Sequence, residues 1–333
     1  MGRLDVIGFG SLNLDEFWEV PEELLTEQGL RTGEEYIRDT PWFHLMYDQL
    51  SSRGIPKSVD PGGSAANTIA ALKRMGFQTG FFGATGRADW SALRLEELGK
   101  IEDLRIIGTD SPAGRCLSLI NRNDPQRDRC LVIIPNANDL VGQQWLERDY
   151  FSRARWVHFT SFVSTSPLLA QILVVENLGT ETLVSFDPGA VYARLGLEAL
   201  LPILRRTSIL FVSVEELLLL TGRDNPQKGV ADILDLGTRQ VILKRGAEGI
   251  QLFSALESVF QASIPPRRIV DRTGAGDVAA AGFLAGILMA LDTQKSLLLA
   301  AMAASRSIEG YGRSAYPDHV FLRRFLASQL NGN

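Results

Sequence analysis

Asp271-Arg272-Thr273-Gly274-Ala275-Gly276-Asp277, running on into the apolar segment Val278–Leu291, is the stretch on which the reading of this chain turns. A glycine-rich turn feeds a segment whose small residues, Ala279, Ala280, Ala281 and Gly282, permit very close packing. At 14 residues the apolar run is short of the roughly 20 that a membrane span needs, so it reads as a buried helix. The first turn of such a helix carries free backbone N–H groups and the positive end of the helix dipole, and both favour an anion. Glycines let the main chain approach a phosphate with no Cβ in the way. Asp277 falls in that first turn. A carboxylate there can take the proton of a hydroxyl while the N–H groups hold the phosphoryl group that the hydroxyl attacks. Taken alone, the same pattern describes an ordinary loop with an acidic residue at a helix start, so its meaning comes from context.

The context begins upstream with Pro61-Gly62-Gly63-Ser64-Ala65-Ala66-Asn67-Thr68, two glycines ahead of a small-residue helix. Asn67 falls on its first turns and Gly76 stands where a helix stop belongs. Around these segments, short apolar runs alternate with stretches of helical spacing. Leu4–Phe9, Phe81–Phe82, Trp156–Thr160, Leu183–Phe186, Ile209–Val212 and Val241–Lys244 are continuously apolar, as strands covered on both faces should be. Ser64–Met75, Trp90–Leu98, Pro167–Leu178, Glu215–Thr221 and Ala231–Leu236 read as helices. Such alternation implies an α/β fold with a mostly parallel sheet and right-handed crossovers.

Two stretches break the rhythm. Arg115–Ile120 and Arg129–Ile134, separated by a turn-rich Asn-Arg-Asn-Asp-Pro-Gln-Arg-Asp, predict a hairpin standing apart from the main sheet. Residues 16–60 are rich in charge and in aromatics (Phe17, Trp18, Tyr36, Trp42, Phe43, Tyr47), with Val20–Leu30 and Trp42–Leu50 reading as helices. With no interdomain linker or repeat in view, one domain over residues 1–333 is expected, with lid segments at about 12–40 and 105–136.

Composition narrows the classes. In 333 residues, 34 Lys and Arg stand against 39 Asp and Glu, so the net charge of −5 argues against a nucleic-acid binder, which would carry a basic face. Two cysteines exclude a disulfide framework and form no zinc-type pair. The opening Met-Gly-Arg-Leu-Asp-Val lacks the apolar run of a signal peptide, so a soluble, cytoplasmic protein is expected, with no membrane partner.

Together the two glycine segments, in order and about 210 residues apart, resemble the PfkB/ribokinase family of ATP-dependent sugar and nucleoside kinases, and the likeness extends over nearly the whole chain. The resemblance implies a ribokinase-like fold with a small β lid. It further implies transfer of the ATP γ-phosphoryl group to a hydroxymethyl oxygen of a sugar, with Mg²⁺ bridging the phosphates. Asp277 would be the catalytic base, and the N–H groups of Gly274, Ala275 and Gly276 would form the anion hole. Asp15, in Gly-Ser-Leu-Asn-Leu-Asp-Glu, would hydrogen-bond the sugar hydroxyls together with Gly63 and Asn67. Lys244, Gly246 and Gly249, in Val241–Gly249, would lie near the ATP phosphates or ribose, as would Thr273. By the same resemblance Glu216 would help organise Mg²⁺ through water, and Arg129, on the second lid strand, would reach toward phosphate. Many relatives hold a monovalent cation such as K⁺ beside the anion hole; Asp271, Thr273 and Ser314 stand at matching positions, and ordinary loop hydrogen bonding explains them equally well.

The chain departs from the family pattern at three places. Ser213 replaces the Asn of Asn-x-x-Glu, Asp187-Pro188-Gly189 stands where Asp-Pro-Asn is common, and Ala113-Gly-Arg-Cys replaces Thr-Gly-Thr. Arg115 is therefore either a specificity feature or a solvent-facing strand residue, the latter being the simpler reading. None of these touches Asp277 or its glycines.

Rival signals are weaker. Gly8-Phe-Gly10 lacks the third glycine of a dinucleotide fingerprint, there is no GxxxxGK[ST], and His44, His158 and His319 are scattered. Cys116 and Cys130 both fall on the hairpin and read as packed thiols. The aromatics of 17–47 read as packing, with stacking on a base or sugar ring as the alternative. The 46 residues between Asp15 and Gly62 resemble the nucleoside-kinase branch. A nucleoside kinase and a non-catalytic nucleotide-binding protein on the same fold stay open, as does a homodimer paired through the lid.

Overall fold

In the computed structural model, residues 2–124, 129–147 and 149–330 are described. The apolar runs assemble into a nine-stranded sheet. Its order is β14 (Ser258–Ala262), β13 (Gly249–Ser254), β12 (Gln240–Lys244), β11 (Ile209–Ser213), β10 (Leu183–Asp187), β9 (Ala154–Thr160), β1 (Leu4–Phe9), β5 (Thr79–Gly86) and β6 (Leu104–Thr109). All neighbours are parallel except β12–β13 and β13–β14. Helices cover both faces, which is why these strands alternate so little: Val6, Phe81 and Trp156 face one core while Ile7, Phe82 and Val157 face the other.

On the first face lie α3 (Ser64–Met75), α9 (Ala275–Leu288), α10 (Thr293–Ser307) and α11 (His319–Leu330). On the second lie α4 (Thr165–Asn177), α5 (Gly189–Ala193), α6 (Gly196–Arg206), α7 (Val214–Thr221) and α8 (Pro226–Asp235). No helix among the described residues is long and apolar enough to cross a membrane.

A second sheet of five strands stands over the C-terminal ends of the first. Its order is β3 (Glu35–Ile37), β8 (Arg129–Ile134), β7 (Gly114–Asn121), β2 (Asn13–Val20) and β4 (Ile55–Gly62). The expected hairpin is the antiparallel pair β7–β8. The sheet's far face is covered by α1 (Glu22–Glu27) and α2 (Thr40–Arg53), and Trp18, Val20, Leu24, Phe43, Met46, Leu50 and Val132 form a core of their own there. Period-two alternation turns Asn13, Asp15, Cys116, Leu131, Ile133 and Glu35 to the near face, where they line a cleft.

Several expectations need correction. The lid takes in residues 55–62, beyond the 12–40 span, whereas Leu104–Thr109 pairs with β5 in the large sheet. Pro56 and Pro61 argue against a central strand, and β4 is an edge strand paired only with β2, the place in a sheet that tolerates proline. Trp90–Leu98 is turns and a short 3₁₀ segment instead of a helix. Arg94, at φ 44°, breaks the helical path, and its guanidinium lies 3.0 Å from Asp60 and 3.6 Å from Glu97.

Arg115 does not face solvent freely. It pairs with the buried Glu16 at 2.5 Å, and its guanidinium stacks on Phe43. Cys116 and Cys130 are buried free thiols that do not face each other, since Cys130 pairs with Leu119 and Cys116 with Ile133. The aromatic tract packs the lid: Trp18 and Phe43 both meet Tyr47, and Arg38 reaches the rings of Tyr36 and Trp42.

Candidate active site

The cleft lies between the near face of the lid and the carboxyl ends of the parallel strands, where open α/β sheets place their ligands. Each wall comes from a strand end or a helix start. Ser11 follows β1, Ser161–Val163 follow β9, Asp187 ends β10, Glu216 sits in the first turn of α7, and Lys244 ends β12. Gly63, Ser64 and Asn67 come from the start of α3, and residues 272–277 from the start of α9. Of the residues singled out in the sequence, Asp15, Gly63, Asn67, Arg129, Glu216, Lys244, Thr273, Gly274, Ala275, Gly276 and Asp277 all line this one cleft.

Asp277 is the third residue of α9. Its Oδ2 accepts a hydrogen bond of 3.0 Å from Asn67 Nδ2, and its carbonyl accepts one of 3.1 Å from Thr68 Oγ1. These two bonds tie the starts of α3 and α9 together across 210 residues of sequence. Burial pushes the Asp277 carboxyl up to about 7; the Asp187 carboxylate adds to this, while Asn67 and Lys244 oppose it. Ala275 N–H is engaged by Arg272 O at 3.3 Å, so it is not free for an anion as expected. Among the described residues, no protein acceptor takes the N–H groups of Gly274, Gly276 or Asp277.

Asp15 is 7% exposed, and its Oδ1 is buried with no hydrogen-bond partner among the described residues. A Cβ on the neighbouring Gly62 would meet its carboxylate at 2.0 Å. Gly63, at φ 96°, holds a backbone shape that only glycine takes easily, and a Cβ there would meet Ser11 O at 2.1 Å. Burial pushes the Asp15 carboxyl up to about 7, the Asp271, Asp277 and Asp60 carboxylates add to it, and Arg313 opposes.

Lys244 lies 2.7 Å from Asp187 and 3.7 Å from Glu216. Burial pulls against its charge, but these carboxylates outweigh it and hold the ammonium protonated above its ordinary range. Glu216 belongs to a capping box: its Oε2 accepts Ser213 N–H at 2.7 Å, and its own N–H donates to Ser213 Oγ at 3.1 Å. Ser213, which stands where the family carries Asn, thus caps α7 and fixes the Glu216 side chain.

Three expectations fare differently. Gly246 and Gly249 do not line the cleft; Gly246 opens a 3₁₀ turn and Gly249 starts β13 against Ala262. Asp271 Oδ1 accepts both the N–H and the Oγ1 of Thr273, closing a local turn, whereas Ser314 Oγ donates to Tyr311 O in its own turn. No group of three or more acidic, His or Cys side chains suited to a metal is found among the described residues.

Residues that sequence reasoning missed also line the cleft. Glu35 reaches it from β3, its Oε1 buried and 4.0 Å from Arg194 of the main body. Asn138 clamps Leu12 and Asn13 through three hydrogen bonds. Neither sits in a pattern that chain-local reading can find, because strand register and a loop bring them in.

The raised carboxyls carry a stability consequence. Asp15 and Asp277 titrate near pH 7 when folded, against a reference of 3.8, so between those values the native state holds the extra protons. Their contribution to stability is therefore greatest at low pH and declines as pH rises toward about 7. A chain carrying both Asp15→Asn and Asp277→Asn should lose less Tm between about pH 5 and about pH 7.5 than the unsubstituted chain. Equal losses in thermal melts would place both carboxyls at ordinary values.

Comparisons with known proteins bear on the family and the fold. The family model described as pfkB family carbohydrate kinase matches residues 35–318. An uncharacterized sugar kinase of Archaeoglobus fulgidus is 28% identical over 256 residues, covering 75% of this chain and 99% of that protein. The adenosine kinase of Sinorhizobium meliloti superposes with a TM-score of 0.84 at 18% identity, over 98% of this chain and 100% of that one. The Arabidopsis thaliana ribokinase solved with ribose and ATP gives a TM-score of 0.72 at 22% identity, over 98% and 99% of the two chains. With the family model covering most of its length, this chain belongs to the pfkB family of carbohydrate kinases.

Proposed function

We propose that this chain transfers the γ-phosphoryl group of ATP to a hydroxymethyl oxygen of a small sugar, with Asp277 as the base. The observation that carries the reading is the Asp277 carboxylate, fixed by Asn67 at the start of α9 beside N–H groups that no atom of the described residues takes. The acceptor hydroxyl gives its proton to Asp277 as it attacks, and the Gly274 and Gly276 N–H groups hold the phosphoryl oxygens. Asp15, with its unpartnered Oδ1, accepts from another hydroxyl of the acceptor and sets its orientation. Lys244 balances charge between Asp187 and Glu216. The lid excludes water, which limits idle ATP hydrolysis.

A hydrated Mg²⁺ fits this donor set. Magnesium keeps several waters and relies on one or two carboxylates plus substrate phosphates, so it needs no all-protein cage. Asp187 and Glu216 are the residues that would hold it, and when bound it neutralises charge on the ATP phosphates.

The polar wall of Asn13, Asp15, Glu35 and Asn138 suits a hydroxyl-rich acceptor, and the lid's Trp and Tyr rings are not among the cleft residues. A nucleoside is the second reading, favoured by the apolar strip of Leu131, Ile133, Pro135 and Val163, on which a flat base can rest. The test is ATP consumption with Mg²⁺ against ribose, fructose, 2-keto-3-deoxygluconate, tagatose-6-phosphate, adenosine, inosine and cytidine. A sugar hit supports the first reading and a nucleoside hit the second. Silence across the panel with ATP still bound favours a non-catalytic nucleotide-binding protein.

We also infer a monomer. The far face of the lid is already covered by α1 and α2, and the edge strand β4 carries Pro56, Lys57 and Pro61, features that blunt an open edge. Sedimentation should return a mass near 36.6 kDa, and twice that mass would revive pairing through the lid.

A further inference from the structure

Arg313 heads the largest side chains that are wholly buried, at 2% exposed. It sits in the short turn Gly312–Ala315 that follows α10. That turn is wedged between lid and body: Gly312, at φ 51°, brings its backbone against the Asp60 side chain of β4, and the Arg313 carbonyl accepts a hydrogen bond from Arg74 of α3. The guanidinium reaches two partners. Nε donates to Asn67 Oδ1 at 3.3 Å, and Nη1 lies 3.3 Å from Glu97 Oε2. Nη2 is buried with no hydrogen-bond partner among the described residues.

The arrangement is a chain of side chains, Glu97 to Arg313 to Asn67 to Asp277, that ends on the proposed base. Its middle link is an amide, whose two ends have nearly the same shape and opposite polarity. Turned one way, Asn67 gives Asp277 a donor. Turned the other way, it sets a carbonyl oxygen against a carboxylate. Arginine carries donors and no acceptor, so it tolerates only the amide oxygen on its side. We propose that Arg313 is a positioning residue that locks the Asn67 amide in the orientation donating to Asp277.

A purely structural role explains the arrangement less well. A buried ion pair adds little net stability, because desolvation offsets the attraction, and here one nitrogen of the fork is left unsatisfied. The charge also acts on Asp15, whose carboxyl it holds below where burial alone would put it. Both carboxylates of the proposed acceptor site thus lean on one guanidinium.

The inference rests on the kinase reading, so its test needs a readout that does not. Arg313→Lys keeps the positive charge but not the fork that spans Asn67 and Glu97; Arg313→Met removes both. The measurements are kcat and KM for the acceptor and ATP, the melting temperature, and the ¹³C titration of the Asp277 carboxyl, assigned with Asp277→Asn. The charged and titratable groups around that carboxyl are Asp15, Asp187, Lys244, Glu216 and Tyr316; none is substituted, and Arg313→Lys keeps the positive charge that Asp15 feels.

Arg313→Lys should lower kcat about 10-fold with little change in KM for ATP, since a displaced catalytic group costs rate more than binding. It should also move the Asp277 titration upward, because a freed amide no longer favours the ionised form. Should Arg313→Met fail to fold, Arg313→Lys decides. A lower Tm with unchanged kcat and unmoved titration would overturn the proposal, as would a fall in kcat with the titration unmoved. If no acceptor is found for the unsubstituted chain, the titration alone still reads the Asn67 link, so loss of the kinase reading and loss of this one remain distinct.

Discussion

Asp277→Asn should lower kcat by about 10²–10⁴-fold and leave both KM values nearly unchanged. The substitution keeps shape and most contacts. Asn at this position still offers an oxygen to Asn67 Nδ2, and the carbonyl that accepts from Thr68 is untouched. What disappears is the one group beside the helix start that can take a proton from the acceptor. Binding of the phosphates should survive, because the free N–H groups at Gly274 and Gly276 belong to the backbone. The removed charge also lies near the carboxylates of Asp187 and Glu216, so its loss relieves repulsion. A buried carboxyl pushed up to about 7 is costly to keep ionised at neutral pH, so the variant should melt no lower than the parent. A lost rate therefore cannot be put down to unfolding. Steady-state kinetics with a melt decide it: turnover within a few-fold of the parent would remove Asp277 as base.

How much of this was legible in sequence depends on how far each group's chemistry is local. The start of α9 puts the base, the glycines and the N–H groups within seven consecutive residues, so a motif captures them. Ser64–Met75 and Leu4–Phe9 coincide with the elements found, since small residues with a glycine stop mark a buried helix and a continuous apolar run marks a strand covered on both faces. The lid is different. Its strand β4 carries two prolines, tolerable only because one edge is unpaired, and a pairing of that kind has no signature along the chain.

Long-range partners were hidden for the same reason. Glu35 reaches the cleft through its register with Leu131, and Arg313 meets Asn67 across 246 residues. Arg94 broke a segment whose leucines suggested a helix: it takes φ 44°, and its partner Asp60 on β4 lies 34 residues away and leaves no pattern along the chain. The aromatic tract was visible as a cluster, but which face it served was decided by α1 and α2 closing over the lid. Gly246 and Gly249 illustrate the converse, since a glycine motif matched in sequence need not line the cavity that the fold builds.

Gly274→Ala should be nearly as damaging as loss of the base, by a separate route. Gly274 caps α9 at φ 75° and ψ 1°, the left-handed region, where a side chain costs about 1–2 kcal/mol. A Cβ there would stand 2.8 Å from Tyr316 Oη and 3.2 Å from Asn67 Nδ2. Tyr316 is 4% exposed and has little room to yield, so the backbone or Asn67 must move. Movement of the backbone re-aims the Gly274 and Gly276 N–H groups, and loss of one such donor costs about 10²–10³ in rate. Movement of Asn67 weakens its hydrogen bond to Asp277. Either way kcat should fall by about 10²–10³-fold, with a lower melting temperature. Gly222→Ala separates strain from position. Gly222 ends α7 at φ 65° with nothing within 4 Å of its Cβ site, so it meets the same backbone cost away from the cleft. It should lower the melting temperature by a similar amount and leave kcat within a few-fold. If both variants lose Tm alike and Gly274→Ala keeps its rate, the phosphoryl group is not held at the start of α9.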